Sequence, residues 1–193
     1  PGGAPLARVV LFRRDLFEAA GVPPPTPDWT WADFLAACRA IADPGRGIYA
    51  LGLSRGKHES YLWMPFLWGA GGEALEFDTR ENRWRAVFDS PAAAEALDFY
   101  IQLTTEPWRD SAGRLRRGYA IKDTAESSLK WRRGQLGMMF SYLDEKVFAG
   151  LNPDLTGIVP LPRGPVSRGT EINARMMGIF AGVTDPLIRD AAW

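Results

Sequence analysis

Short apolar runs and amphipathic helical stretches take turns along this chain, and that alternation confines it to an α/β architecture. VVLFRR (9–14) has the character of a strand, and DLFEAAG (15–21) that of a helical turn closed by Gly21. VPPPTPD (22–28) is a stiff extended connection, because each proline fixes its own φ and biases the residue before it. In TWADFLAACRAIAD (30–43), Thr30 and Asp33 have capping-box spacing, and Trp31, Phe34, Leu35, Cys38 and Ile41 recur at helical period. GIYALGLS (47–54) reads as a buried strand. In EALEFDTRENRWRAVFDS (73–90), Leu75 and Phe77 alternate before a polar turn and Trp84, Ala86 and Phe88 after it, which is the pattern of a hairpin.

Ser90 and Pro91 then open a helix as N-cap and first residue, with Ala93, Leu97, Tyr100 and Leu103 expected to face inward. EPWRDSAGRLRRGYAIKD (106–123) is expected to be a polar loop. Asp123 and Glu126 again have capping-box spacing, for a helix that reaches KWRRG (130–134). QLGMMFSYL (135–143), GIVPLP (157–162) and NARMMGIFAGV (173–183) are three further apolar strands. DPLIRDAAW (185–193) starts a helix with Asp185 as N-cap and Pro186 in its first turn. That helix stops after two turns on a tryptophan, which suggests a piece of a longer protein.

Composition narrows the function classes. The 193 residues are 46% hydrophobic and 24% charged, the balance of a core-forming chain. A formal net charge of zero argues against nucleic acid or an anionic membrane surface as the main partner. One cysteine, Cys38, excludes an intrachain disulfide and any multi-cysteine metal site, and its place on an apolar stripe makes it a small buried hydrophobe. No membrane span is visible, and the opening PGGAPLARVVLF lacks the basic region and cleavage site of a secretory signal.

One pattern resembles catalytic chemistry. GLSRG (52–56) fits the G-x-S-x-G nucleophile elbow and follows a predicted strand. A hydrolase on Ser54 needs a histidine base late in the chain, whereas the single histidine, His58, comes four residues after the serine. That serine hydrolase is the alternative reading. No phosphate loop, dinucleotide fingerprint or H-E-x-x-H motif occurs. One histidine and one cysteine do not mark a zinc site, and Asp78 and Glu81 lack calcium-loop spacing. The expectation is a protein that is no enzyme and carries no cofactor or metal.

The segment HESYLWMPFLWGAGG (58–72) sets four aromatic rings behind a charged entry and ahead of a glycine cluster. It belongs to a longer series. LFRRDLFEAAGV, TWADFLAACRAI, PFLWGAGGEAL, AVFDSPAAAEALDFYIQL, WRRGQLGMMF, GIVPLPRGP and NARMMGIFAGVTDP, in that order, resemble the extracellular solute-binding proteins of carbohydrate ABC transporters, the maltose-binding type. The resemblance implies one lobe, mainly the C-terminal one, of a two-lobed periplasmic-binding-protein type II fold that closes on its ligand. Residues 1–172 would form that lobe, with a first hinge crossover near 8–14, and residues 173–193 the return hinge strand and the start of a helix toward the other lobe. The implied protein is the substrate-binding component of an ABC importer, held outside the cytoplasmic membrane in the periplasm or by a lipid anchor. Its implied partners are a sugar or sugar derivative and the transporter's permease subunits. A sensor or receptor built on the same fold is a further alternative.

The resemblance also implies a site. His58, Glu59, Tyr61 and Trp68 fall on the helix that touches the sugar in relatives. A pyranose has apolar C–H faces and a hydroxyl rim, so rings suit the faces and carboxylates the rim. Trp63, Phe66, Leu67 and Trp68, at helical spacing, equally suit a core. In the turn after GQLGMMF the candidates are Tyr142 and Asp144, which could instead cap the next helix. Asn173 and Arg175 stand where relatives carry a glycine and a ligand-stacking tryptophan. An arginine there removes a stacking face and adds a fork suited to carboxylate or phosphate, so the implied ligand includes acidic or phosphorylated sugars.

Overall fold

The computed structural model describes residues 6–53, 59–142, 149–173 and 178–192. In chain order these form β1 (Leu6–Arg13), α1 (Arg14–Ala19), α2 (Trp31–Ile41), β2 (Tyr49–Gly52), α3 (Glu59–Gly69), β3 (Leu75–Asp78), β4 (Arg83–Ala86) and α4 (Pro91–Thr105). There follow β5 (Pro107–Arg109), β6 (Leu115–Arg117), β7 (Ala120–Ile121), α5 (Thr124–Arg132), β8 (Leu136–Tyr142), β9 (Thr156–Val159), β10 (Ile172–Asn173) and α6 (Pro186–Ala192). The class is α/β, as the alternation requires.

Local chemistry fixes the helix starts. The Thr30 hydroxyl accepts from the Asp33 N–H at 3.3 Å while the Asp33 carboxylate accepts from the Thr30 N–H at 2.8 Å, so two donors at the start of α2 are satisfied reciprocally. Its whole stripe of Trp31, Phe34, Leu35, Cys38 and Ile41 is buried. Ser90 accepts from the Ala93 N–H in α4, and Asp123 from the Glu126 N–H in α5.

The principal sheet runs β10–β1–β8–β2–β7, and β9 also pairs with β1. β1 is antiparallel to all its partners: Arg8 to Phe12 face Tyr142 to Met138 of β8, Val10 to Arg13 face Val159 to Thr156 of β9, and Leu6 and Ala7 face Asn173 and Ile172 of β10. β8, β2 and β7 are mutually parallel, with Leu51 opposite both Met138 and Ala120. Parallel strands must be covered on both faces, and their residues are accordingly mostly apolar, with Ser141 and Tyr142 only at the end of β8. Phe66 of α3 lies among Trp31, Phe99, Tyr100 and Phe140, at ring separations of 5.7, 5.5, 5.8 and 6.1 Å, and so joins α2, α4 and the sheet at one point.

Three expectations are corrected. Leu97 is 45% exposed, because α4 packs through Leu103 and through Ala93 and Ala96, whose small side chains admit a close approach. Residues 107–121 form the β5–β6 hairpin and β7 rather than a polar loop. The reason is Asp110: its buried carboxylate accepts from the Ala112 and Arg114 N–H groups and from the Arg114 and Arg116 guanidinium groups, which folds the turn without an apolar core. In the run 173–183, the described residues 178–183 form no strand, and Val183 N–H turns back to the Phe180 carbonyl at 2.9 Å. The predicted β3–β4 hairpin forms, with Phe77 opposite Trp84, but its aromatic face stands in solvent.

Candidate functional site

The strand directions gather several chain positions at one edge of the sheet. β2, β7 and β8 run parallel toward this edge: β2 and β7 end level at Gly52 and Ile121, opposite Met139, and β8 continues three residues further to Tyr142. β1 runs the other way and therefore begins there, and β10, antiparallel to β1, ends there at Asn173. In open α/β sheets the crevice beyond the carboxyl ends of the strands is where ligands bind.

Tyr142 and Asn173 are thus brought close through β1, opposite Arg8 and Leu6. Glu59 and Tyr61 occupy the first turn of α3, which begins six residues after Leu53 leaves this edge. Pro65 in the next turn cannot donate to the Tyr61 carbonyl, so the helix starts with one bond fewer. Trp68 is nine positions further along α3 than Glu59, roughly 13 Å down the axis. It is half-buried against the 164–170 connection, where the Ser167 hydroxyl donates to its carbonyl and Gly169 lies on its Cβ. Of the other large apolar side chains on α3, Phe66 and Leu67 are core, and Trp63 stacks on Phe88 at 6.0 Å. His58, Asp144 and Arg175 lie outside the described residues, as does Ser54.

Arg8 is the residue at this edge that sequence reasoning missed. Its guanidinium is buried, lies 4.7 Å over the Tyr142 ring, donates to the Tyr142 hydroxyl at 2.8 Å and pairs with the Glu171 carboxylate at 3.0 Å. The backbone repeats the tie: Arg8 N–H donates to the Glu171 carbonyl and the Thr170 hydroxyl donates to the Arg8 carbonyl. Burial and the neighbouring Glu171 carboxylate push the Tyr142 phenol above its ordinary value, with Arg8 acting against them. The signal in the sequence was an arginine inside the apolar run LARVVLF. Among the described residues no cluster of histidine, cysteine and carboxylates could hold a metal, and no helix is long and apolar enough to cross a membrane. Among the described side chains at this edge, Tyr142 supplies a ring and a hydroxyl and Glu171 a carboxylate, both engaged by Arg8.

Comparison with known proteins gives the same frame. The maltose-bound MalE3 of T. maritima superposes with a TM-score of 0.72 at 20% identity, over 97% of this chain and 46% of its own. A solute-binding protein of Agrobacterium radiobacter K84, in complex with ribitol, gives 0.69 at 25% identity, over 98% and 46%. One from Thermotoga lettingae TMO, bound with alpha-D-tagatose, gives 0.66 at 22%, over 89% and 42%. A curated relative from Brucella abortus (strain 2308) is 26% identical over 190 residues, which is 94% of this chain and 40% of that protein, so the chain spans less than half the length of the relatives it matches. The sequence profile of the bacterial extracellular solute-binding proteins matches residues 3–193. With that span covered, the chain belongs to the bacterial extracellular solute-binding protein family, a family of transport binding proteins rather than catalysts.

Proposed function

We propose that this chain forms one lobe, mainly the C-terminal one, of a two-lobed protein that binds a carbohydrate or sugar derivative and delivers it to the permease of an ABC importer outside the cytoplasmic membrane, in the periplasm or on a lipid anchor. The observation that carries the proposal is the shared edge: the parallel strands end where β1 enters and β10 leaves, so a second lobe joined through those two strands would face the ends of β2, β7 and β8. Tagatose, maltose and ribitol in the structurally similar proteins support a polyhydroxylated ligand. Phe180, Leu187 and Ile188 are exposed along the last described stretch, as expected of surface that further chain would cover. The serine-hydrolase alternative is not favoured, because the family match supplies a transport role for the whole span.

Under this reading Glu59, Tyr61, Tyr142 and Asn173 line one wall of the cleft, with His58, Asp144 and Arg175 in the adjoining segments. Calorimetric titration tests it. A two-lobed binder at micromolar Kd has about −8 kcal/mol of binding free energy, and a single wall is expected to retain about −4 kcal/mol, a millimolar affinity. Maltose, D-tagatose, ribitol and a uronic acid would be titrated into this chain and into the two-lobed protein. Equal micromolar affinity in both would refute the cleft, and no binding by the two-lobed protein would remove the sugar assignment. A preference for the uronic acid that Arg175→Trp abolishes would assign Arg175 to the ligand.

A further inference from the structure

We propose that Arg8 is a positioning residue of the binding site, one guanidinium that ties both interlobe strands to Tyr142 and sets that tyrosine for the ligand. The proposal rests on the sugar-binding reading above. Arg8 sits on β1 and Glu171 immediately precedes β10, so their ion pair at 3.0 Å joins the two strands by which the chain enters and leaves this edge. The same nitrogen, Nη2, donates to the hydroxyl of Tyr142 at the last position of β8, and the guanidinium carbon lies 4.7 Å over the tyrosine ring. Only 8% of the Arg8 side chain and 19% of Glu171 is exposed.

A buried guanidinium is costly to desolvate unless its partners are in place, so this arrangement favours one geometry of three strands over others. The planar fork suits that task, because it holds a carboxylate and a phenol in fixed directions where an ammonium would leave them free. The phenol is consequently held with its ring against Arg8 rather than swinging through the space beyond the sheet. Any rotation of a second lobe passes through β1 and β10, the two strands this tie connects. Arg8 therefore links the angle between the strands to the placement of a ligand-facing hydroxyl. The residue acts through Tyr142 and not on the ligand itself.

A double-mutant cycle tests the link in the two-lobed protein, with maltose, D-tagatose and ribitol as probes. Arg8→Met and Tyr142→Phe are each expected to weaken binding of the best probe about tenfold, and the double variant to lose little more than either. Losses that multiply, or an Arg8→Met protein that binds as tightly as wild type, would overturn the proposal. Arg8→Lys keeps the charge beside Glu171 and loses the fork, so it serves where Arg8→Met does not fold, and wild-type affinity in Arg8→Lys would equally overturn it. Spectrophotometric titration supplies a readout independent of any sugar: the phenol absent from Tyr142→Phe should titrate at higher pH in the Arg8→Met chain than in wild type. An unmoved phenol refutes the contact. If the wild-type protein binds no probe while the phenol moves as expected, the sugar reading has failed and the positioning role falls with it.

Discussion

Replacing Phe66 by alanine should cost this chain about 4 kcal/mol of stability, and the figure follows from where the ring sits. Phe66 is 2% exposed and touches four other rings, two of them on α4 and one each on α2 and β8. Removing a buried phenylalanine side chain ordinarily costs about 3–5 kcal/mol, the spread reflecting how far the surroundings collapse into the space. Collapse is restricted here. Trp31 is stacked on Phe99 at 4.5 Å, and Phe140 is held in the β1–β8 ladder opposite Val10, so neither can move far without breaking another contact. The loss therefore belongs in the upper half of the range. Each kcal/mol shifts Tm by about 2–4 °C in a domain of this size, so the expected fall is about 8–16 °C. Urea denaturation followed by tryptophan fluorescence measures it, with Phe66→Leu as a control expected to lose less than about 1.5 kcal/mol. If Phe66→Ala lost no more than the leucine variant, the claim that this ring joins α2, α4 and the sheet would be wrong.

Glycine scanning separates backbone strain from overlap. Gly118 has φ +63 and a Cβ there would lie 2.3–2.5 Å from backbone atoms of Thr104, whereas Gly113 has φ +75 with nothing within 4 Å. Gly113→Ala should cost about 1–2 kcal/mol by urea denaturation and Gly118→Ala distinctly more, and equal losses would show that the α4–β6 approach can relax. A third expectation concerns alkali. Burial pushes the Tyr119 phenol up to about 12, its hydrogen bond to Glu106 adding to the effect and Arg39 opposing it. Since the folded pKa is raised, the stabilisation is complete below the ordinary value near 10 and is lost as pH rises through about 12. Absorbance titration of Tyr119→Phe should lack the portion that ionises near 12, and its persistence would contradict the assignment.

The parts of the fold that were legible in the sequence are those decided within one turn of chain. The capping box of α2 and its buried stripe depend on residues three and four apart, and both form as the spacing predicts. Leu97 was misjudged because helical spacing does not say which neighbour arrives: alanines at 93 and 96 let α3 come close on one side and left Leu97 beside it. The 107–121 hairpin was missed because a buried carboxylate organises it instead of an apolar face. The aromatic α3 segment was visible by composition, yet Phe66 goes to the core and Trp63 stacks on Phe88, whereas Arg8, Glu171 and Tyr142 meet only through pairings across the sheet. Register between strands so far apart in sequence leaves no local trace.

The pairings of β1 govern when the chain can fold. Each partner of β1, whether β8, β9 or β10, lies more than about 120 residues later in the chain, and such non-local contacts slow folding. At a synthesis rate of about 5–20 residues per second, some 6–25 seconds pass before β8 follows β1 out of the ribosome. Throughout that interval the apolar run of Val10, Leu11 and Phe12 is without its partners β8 and β9. A sheet that cannot close until β8 has emerged leaves this strand exposed to misplaced pairing, which makes prompt delivery of the later strands a condition of clean folding.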